Sequence, residues 1–200
     1  NPMRGLKFYD EGHIYEYRGE RIPSVSEILR FMSREVYGDI DKYVLDNAAQ
    51  RGTAVHSATE ALDRYGTVEC SEDIYGYLQA YARFLNEHTV EWKYIESPIA
   101  HRRMKYAGTI DRAGIVDGCF AIVDLKTNAA IKKPLVKAQL NGYRKLLTER
   151  RERIESLYCL QLLPDGRYRL YPAAIDDTEF MACYKMHIAM QKKQKRGKIE

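Results

Sequence analysis

In the first part of the chain, the spacing of hydrophobic residues predicts one extended segment followed by helices. Residues 8–18 alternate apolar and polar positions, which predicts a short hairpin or an extended arm. Ser24 followed three residues later by Glu27 is a capping-box pattern, so a helix is predicted to begin there. Apolar positions at helical spacing predict two further helices, over residues 40–65 and 72–88.

From residue 90 onward the pattern changes to short apolar runs separated by turns. The predicted elements are strands over residues 90–100, 106–116 and 119–127, a helix over 133–151, strands over 154–163 and 167–172, and a helix over 176–195. Three strands, a helix and a returning strand predict a mixed sheet with helices packed on it, an α/β layered domain. We expect one domain over residues 1–200, with residues 1–21 as an N-terminal arm and residues 192–200 as a basic tail, a candidate for disorder.

The turn between the second and third of these strands predicts their register. Asp117-Gly118 between two apolar-rich runs is a strong hairpin signal. In a two-residue hairpin Val116 faces Cys119, and each step back along one strand matches a step forward along the other. Counting in this way places Asp111 directly opposite Asp124, and the β-carbons of such a pair lie about 4.5–5.5 Å apart.

Two facing carboxylates conflict with the rules for a stable sheet. Like charges repel, and aspartate is intrinsically disfavoured in strands. A divalent cation between them would remove the conflict, and hard oxygen ligands suit Mg²⁺ or Mn²⁺. Because side chains alternate, Lys126 shares a face with Asp124, and its partner across the hairpin is Thr109. The alternative is an accidental surface ion pair, against which the apolar run around residues 121–125 argues.

Composition and charge fit this picture without requiring it. The net charge of +4 favours a polyanionic partner, and 45% hydrophobic content is ordinary for a globular protein. No apolar stretch is long enough for a bilayer span, and the start of the chain has no signal-peptide core, so we expect a cytoplasmic protein that does not bind membranes. The cysteines lack C-x-x-C or zinc spacing, so we expect free thiols at Cys70, Cys119, Cys159 and Cys183.

Several elements together resemble the PD-(D/E)XK nucleases, and more narrowly their RecB-like and phage-type exonuclease branch. The resemblance covers roughly residues 22–163 and implies a restriction-endonuclease-like αβββαβ core. A lone D-x-K is a weak signal, but four elements in the right order are strong together. These four elements are Arg51-Gly52-Thr53-Ala54-Val55-His56, Gly108-Thr109-Ile110-Asp111, Asp124-Leu125-Lys126-Thr127 and Gln139-Leu140-Asn141-Gly142-Tyr143. In addition, Ile22-Pro23-Ser24-Val25-Ser26 resembles the lead-in of phage-encoded members.

The resemblance also implies a set of site residues. The implied catalytic residues are Asp111, Asp124, Lys126, Gln139 and Tyr143, and the implied metal ligands are His56, Glu96, Asp111, Asp124 and the backbone carbonyl of Leu125. One or two Mg²⁺ or Mn²⁺ ions would bind there, and we expect no iron–sulfur cluster because no tight cysteine group is present. Each single residue also has an ordinary interpretation: His56 as a core or surface histidine, Tyr143 as a core residue, Glu96 as an exposed strand residue and Gln139 as a solvated one.

The function implied by the resemblance is metal-dependent hydrolysis of phosphodiester bonds in linear DNA, single- or double-stranded. An exonuclease of phage or prophage recombination, or of DNA end processing, fits best. The alternatives are a non-catalytic DNA-binding module of the same fold and a nuclease subunit of a larger recombination or helicase assembly. A recombinase, a single-strand annealing protein and a second copy of the chain are candidate partners. Backbone phosphates are expected to contact Arg102, Arg103, Lys105, Lys132, Lys133 and Lys137.

Overall fold

The computed structural model of the protein describes residues 4–38 and 42–196. The helices are α1 (Val25–Ile28), α2 (Arg30–Tyr37), α3 (Lys42–Tyr65), α4 (Glu72–Glu87), α5 (Lys133–Glu149) and α6 (Thr178–Arg196). The strands are β1 (Leu6–Tyr9), β2 (Ile14–Tyr17), β3 (Glu20–Ile22), β4 (Val90–His101), β5 (Tyr106–Val116), β6 (Cys119–Lys126), β7 (Ser156–Leu162) and β8 (Tyr168–Ala173).

The central sheet contains five strands in the order β4-β5-β6-β7-β8. Neighbouring strands run antiparallel except β6 and β7, which are parallel because α5 carries the chain back across the sheet between them. The series α4, β4, β5, β6, α5, β7 reproduces the predicted αβββαβ order. The structure therefore confirms the predicted α/β class, with a mixed central sheet flanked by helices.

The turn between β5 and β6 has the predicted form. Both residues of Asp117-Gly118 have positive φ, at 49° and 86°, as a type I′ turn requires. Val116 pairs with Cys119, which confirms the predicted register, and the ladder continues as far as Arg112 and Val123. The ladder ends one step before Asp111 and Asp124, the two aspartates that the register places opposite each other.

Alternating side chains of the strands divide the core into two layers. On β6, Ile122 packs with the layer under α1, α5 and α6, whereas Val123 and Leu125 pack with the layer under α3 and α4. Burial on both faces explains why this strand reads as a continuous apolar run in the sequence. The strand that carries the candidate lysine is thus held rigidly from both sides.

The predicted N-terminal arm contains a small antiparallel sheet, in the order β1-β2-β3. Its inner face buries Tyr15, Tyr17 and Ile22 against Ala100 and Ala107, where β4 and β5 meet. The alternation in residues 8–18 predicted a hairpin; the third strand adds to it across a second local turn, whereas the docking against the central sheet depends on contacts far apart in sequence. This small sheet places the β1–β2 turn over one end of the central sheet.

The C-terminal basic stretch is partly helical. Helix α6 continues through Arg196, and residues 197–200 lie outside the described residues. Among the described helices, none combines the length and the hydrophobicity that crossing a bilayer demands.

A glycine-to-alanine change in α4 tests the packing of this helix against the turn between β7 and β8. A methyl group at Gly76 would overlap the backbone carbonyl of Pro164, which cannot move aside as a side chain does. We expect Gly76→Ala to lower the free energy of unfolding by about 1–3 kcal/mol in urea denaturation. The matched control is Gly52→Ala in α3, where the nearest atom lies 3.8 Å away, so stability should be unchanged or slightly increased. Equal losses in both variants would contradict this packing.

Candidate active site

A cleft of about 840 Å³ opens where the small sheet, α3 and the central sheet meet. Side chains from the β1–β2 hairpin, α3, β4, β5, β6 and α5 line it. Among them are the predicted catalytic side chains and the predicted metal-binding side chains, namely His56, Glu96, Asp111, Asp124, Lys126, Gln139 and Tyr143. The cleft therefore brings the predicted site residues to one place, although the chemical roles assigned to them stay predictions.

Three potential metal ligands converge in this cleft. The ligand atoms of His56, Glu96 and Asp111 all lie within 4.8 Å of one another. Nδ1 of His56 is 3.1 Å from Oε1 of Glu96 and 3.6 Å from Oδ1 of Asp111. Its other ring nitrogen lies 3.3 Å from the carbonyl oxygen of Leu125, so the backbone acceptor implied by the resemblance contacts the same imidazole from its other side. Asp124 stands beside this close group.

Glu96 reaches the cleft through an unusual backbone conformation. Its φ is +39°, within a strand, where a residue with a side chain is strained. The neighbouring residues Ile95 and Ser97 pair with Arg112 and Ile110 on β5, so the irregularity is confined to Glu96. Non-glycine residues held in this region cost about 1–3 kcal/mol, and they cluster at functional sites. The conformation turns the carboxylate towards His56.

Asp111 accounts for the early end of the β5–β6 ladder. Its Oδ2 accepts a hydrogen bond of 2.8 Å from the backbone N–H of Leu125. A side chain thus satisfies an amide that would otherwise face the backbone of β5, and the two strands separate at this point. The aspartate pair predicted from the register lies just beyond the last paired residues, Arg112 and Val123. The separation opens the sheet for the cleft.

The side chain of Asp124 is buried with one oxygen unsatisfied. Only 2% of the residue is exposed, and Oδ2 lies 2.7 Å from Nζ of Lys126. That contact lacks hydrogen-bond geometry, so Oδ2 has no hydrogen-bond partner among the described atoms. Burial raises the pKa of the Asp124 carboxyl, and Asp111 adds to the rise while Lys126 opposes it. The charged partner of this oxygen is the Lys126 ammonium, which contacts it as an ion pair.

The electrostatics of the cleft favour a cation. Burial alone would lower the pKa of His56, but the charge of Asp111 and the hydrogen bond with Glu96 outweigh it and raise that pKa to about 9. Without a metal ion, a proton on the imidazole would balance part of the negative charge, and a bound cation would displace that proton. Carboxylates and an imidazole form a donor set that suits Mn²⁺ or Mg²⁺, and the carboxylate of Asp124 lines the same cleft. The residues present fit a divalent cation.

Gln139 and Tyr143 stand together at the edge of the cleft, one turn apart on α5. The Gln139 amide donates a hydrogen bond of 2.9 Å to the Tyr143 hydroxyl. Burial, with the nearby carboxylates of Asp124 and Asp111, raises the pKa of Tyr143 well above its usual value, so the phenol stays neutral. The ring needs the glycine at Gly108, because a β-carbon there would lie 2.8 Å from Cε1 of Tyr143.

An arginine that the sequence reading did not single out holds the site together. Arg112 is fully buried, and its guanidinium forms ion pairs with Asp63 at 2.7 Å and Glu96 at 2.8 Å. It also donates hydrogen bonds to the hydroxyls of Thr59 at 3.0 Å and Tyr81 at 3.3 Å. The only signal in the sequence is a charged residue inside an apolar strand. Arg112 thereby joins α3, α4 and β4 around the carboxylate of Glu96.

The basic residues predicted to contact DNA lie outside the cleft. Several are already paired with carboxylates: Lys105 lies 2.8 Å from Glu20, and Lys137 lies 2.7 Å from Asp176 and 3.0 Å from Glu179. Exposed pairs of this kind contribute about 0–1 kcal/mol, so a phosphate could replace the carboxylate. Their contact with DNA stays a prediction.

No family model matches this chain, and no curated protein matches it. Among solved structures, the chain is similar to the alkaline exonuclease LHK-Exo from Laribacter hongkongensis, with 14% sequence identity and a TM-score of 0.47, over 88% of this chain and 94% of that one. It is also similar to the structure named SSO0001, with 16% identity and a TM-score of 0.44, over 84% of this chain and 75% of that one.

A second structure of LHK-Exo, in complex with dAMP, is similar to the chain with 14% identity and a TM-score of 0.42, over 90% of this chain and 95% of that one. Similarity this distant carries no functional argument. The function proposed below therefore rests on the residues of this chain.

Replacing Arg112 tests whether it holds the site. Arg112→Met keeps much of the volume but leaves the buried carboxylates of Asp63 and Glu96 without their cation. We expect the free energy of unfolding to fall by about 3–5 kcal/mol, measured by urea denaturation. The control is Arg167→Met, because the exposed pair of Arg167 with Asp165 should contribute less than about 1 kcal/mol. Similar small losses in both variants would show that Arg112 does not organise the site.

Proposed function

We propose that this protein is a metal-dependent deoxyribonuclease that hydrolyses phosphodiester bonds. The observation that carries the proposal is the buried pair Asp111 and Asp124 beside Lys126, with Asp124 retaining an oxygen that has no hydrogen-bond partner. A structural ion pair would not need a second buried carboxylate next to it. Hydrolysis of a phosphodiester needs negative ligands for a cation and a positive group near the phosphate, and this set supplies both.

Each part of the cleft has a role in that reaction. A divalent cation held by His56, Glu96, Asp111, Asp124 and the Leu125 carbonyl would supply Lewis-acid polarisation of a phosphate oxygen. Lys126 places its ammonium group 2.7 Å from Asp124, where it can orient a water molecule and stabilise the charge that builds on the phosphate. The neutral hydroxyl of Tyr143 and the amide of Gln139 can donate hydrogen bonds to phosphate oxygens at the cleft edge.

We further propose that the substrate is linear DNA and that the enzyme acts as an exonuclease. The described residues form one central sheet with its helices and one small sheet, and they include no separate module for reading sequence, which disfavours a site-specific endonuclease. DNA end processing, or phage and prophage recombination, are the processes that need such an activity. Recombination proteins and a second copy of this chain are the partners we propose on that basis.

A nuclease assay tests the reaction and its direction. End-labelled linear DNA and closed circular DNA are incubated with the protein and Mg²⁺ or Mn²⁺. We expect linear DNA to be shortened and circular DNA to persist. Asp124→Asn should reduce the rate by at least about 100-fold, since even a partner outside the ligand set is usually worth about 10- to 100-fold. The control Asp165→Asn changes an exposed aspartate in a distant turn and should leave the rate unchanged.

Each other outcome of this assay has a definite meaning. Persistence of linear DNA with the wild-type protein would contradict a nuclease and favour the non-catalytic DNA-binding alternative. Cutting of circular DNA as fast as linear DNA would overturn the exonuclease part only. Full activity in Asp124→Asn would show that the proposed metal ligands are wrong.

Metal binding is testable without any turnover. Mn²⁺ added to the protein without DNA should give a saturable binding isotherm in titration calorimetry and raise the melting temperature, because a cation relieves the repulsion between the clustered carboxylates. In Asp111→Asn we expect at least about a tenfold weaker affinity, because one charged ligand is lost. Asp165→Asn serves again as the control. Equal Mn²⁺ affinity in wild type and Asp111→Asn would contradict the site.

A further inference from the structure

The β1–β2 hairpin lines the same cleft with aromatic rings that the reaction does not use. Phe8, His13 and Tyr15 all border the space occupied by the candidate metal ligands. We call these residues the hairpin wall. The centroid of Phe8 lies 4.8 Å from that of Tyr15, with an angle of 30° between the rings, and 5.2 Å from that of His13, at 87°. The three rings therefore form one contiguous cluster, in which Tyr15 is the buried base and Phe8 and His13 are the more exposed rings.

The hairpin wall is attached directly to the strand that carries the site. The hydroxyl of Tyr15 lies 2.7 Å from Oγ1 of Thr109, which is two residues before Asp111 on β5. Beneath it, Tyr15 is buried in the cluster that joins the small sheet to the central one, and Phe8 packs against that cluster. A molecule held against the wall would therefore lie at a fixed position relative to Asp111.

The charges in the cleft indicate which part of a nucleotide the wall would hold. Among the described lining residues, Lys126 is the one lysine or arginine, whereas the carboxylates are those of Asp10, Glu60, Glu96, Asp111 and Asp124. In an acidic cleft, phosphate is attracted only weakly at positions that are not next to a bound cation. Aromatic faces, in contrast, stack on any nucleobase, with about 1–3 kcal/mol per base.

We infer that the hairpin wall stacks on the base of the nucleotide being cleaved and so positions its phosphate at the site, without preference for sequence. This inference rests on the proposed nuclease function and adds to it the recognition of a base at the DNA end. Asp10, at the tip of the hairpin, borders the same surface and would keep phosphates on the Lys126 side of the cleft.

The hairpin supplies its own matched control. Phe8 pairs with Tyr15 and faces the inner side, whereas Tyr9 pairs with Ile14 on the outer side. Tyr9 is 45% exposed and does not border the cleft. Tyr9→Leu therefore removes an aromatic ring from the same hairpin without touching the proposed stacking surface. Phe8→Leu removes the ring face but retains apolar packing on the small sheet, so the fold should persist, as melting curves can verify.

The test compares two linear substrates that differ only in their last nucleotide, which is either normal or abasic. For wild type we expect kcat/KM to be about 5- to 150-fold lower on the abasic end, the range that corresponds to the stacking of one base. Phe8→Leu should lose this discrimination, and Tyr9→Leu should keep it. Loss of discrimination in Tyr9→Leu to the same extent, or its retention in Phe8→Leu, would overturn the inference.

A binding measurement separates this inference from the proposed reaction. A terminal 2-aminopurine in the DNA should lose fluorescence on binding the wild-type protein with Mn²⁺ omitted, and should lose less on binding Phe8→Leu. Quenching without any hydrolysis when Mn²⁺ is restored would overturn the proposed function and leave the stacking wall standing. Hydrolysis without any quenching would contradict stacking on the hairpin wall, and the proposed nuclease function would stand.

Discussion

Repulsion between carboxylates held out of water is the constraint around which this site is built. Glu96, Asp111 and Asp124 come from three adjacent strands and meet in one cleft, with Asp124 almost fully buried. Buried like charges are unfavourable unless cations or hydrogen bonds compensate them. The chain supplies Arg112 and Lys126 for that purpose, yet one oxygen of Asp124 is left without a hydrogen-bond partner. We propose that a bound divalent cation would complete the balance.

The fold keeps this arrangement from relaxing. The strand β6 is packed on both faces, so Asp124 cannot turn away, and Asp111 is tied to the amide of Leu125. Glu96 has a left-handed backbone conformation, and the Arg112 guanidinium donates a hydrogen bond to its carboxylate. These strained and charged positions lower the free energy of unfolding, and the surrounding packing keeps the charged cluster assembled without a bound ligand. Preorganisation of this kind is what an electrostatic catalyst requires.

Local patterns predicted much of this structure. The Asp117-Gly118 turn has a single favoured conformation, so the β5–β6 register followed from the sequence, as did the element order. The Arg112–Asp63 ion pair was not predictable, because its partners are 49 positions apart and meet only once α3 docks on the sheet. The conformation of Glu96 and the placement of Phe8 in the cleft likewise depend on tertiary packing. The sequence thus predicted the residues of the candidate site, but not the long-range contacts that hold them in position.

Crystals of the protein grown with Mn²⁺ would test the central claim most directly, because the anomalous signal of manganese locates the ion without reference to activity. The account predicts an anomalous peak within coordination distance of the Asp111 and Asp124 carboxylates, and its absence in crystals of Asp124→Asn. A peak only elsewhere on the protein, with this cleft free of manganese at saturating concentration, would contradict it.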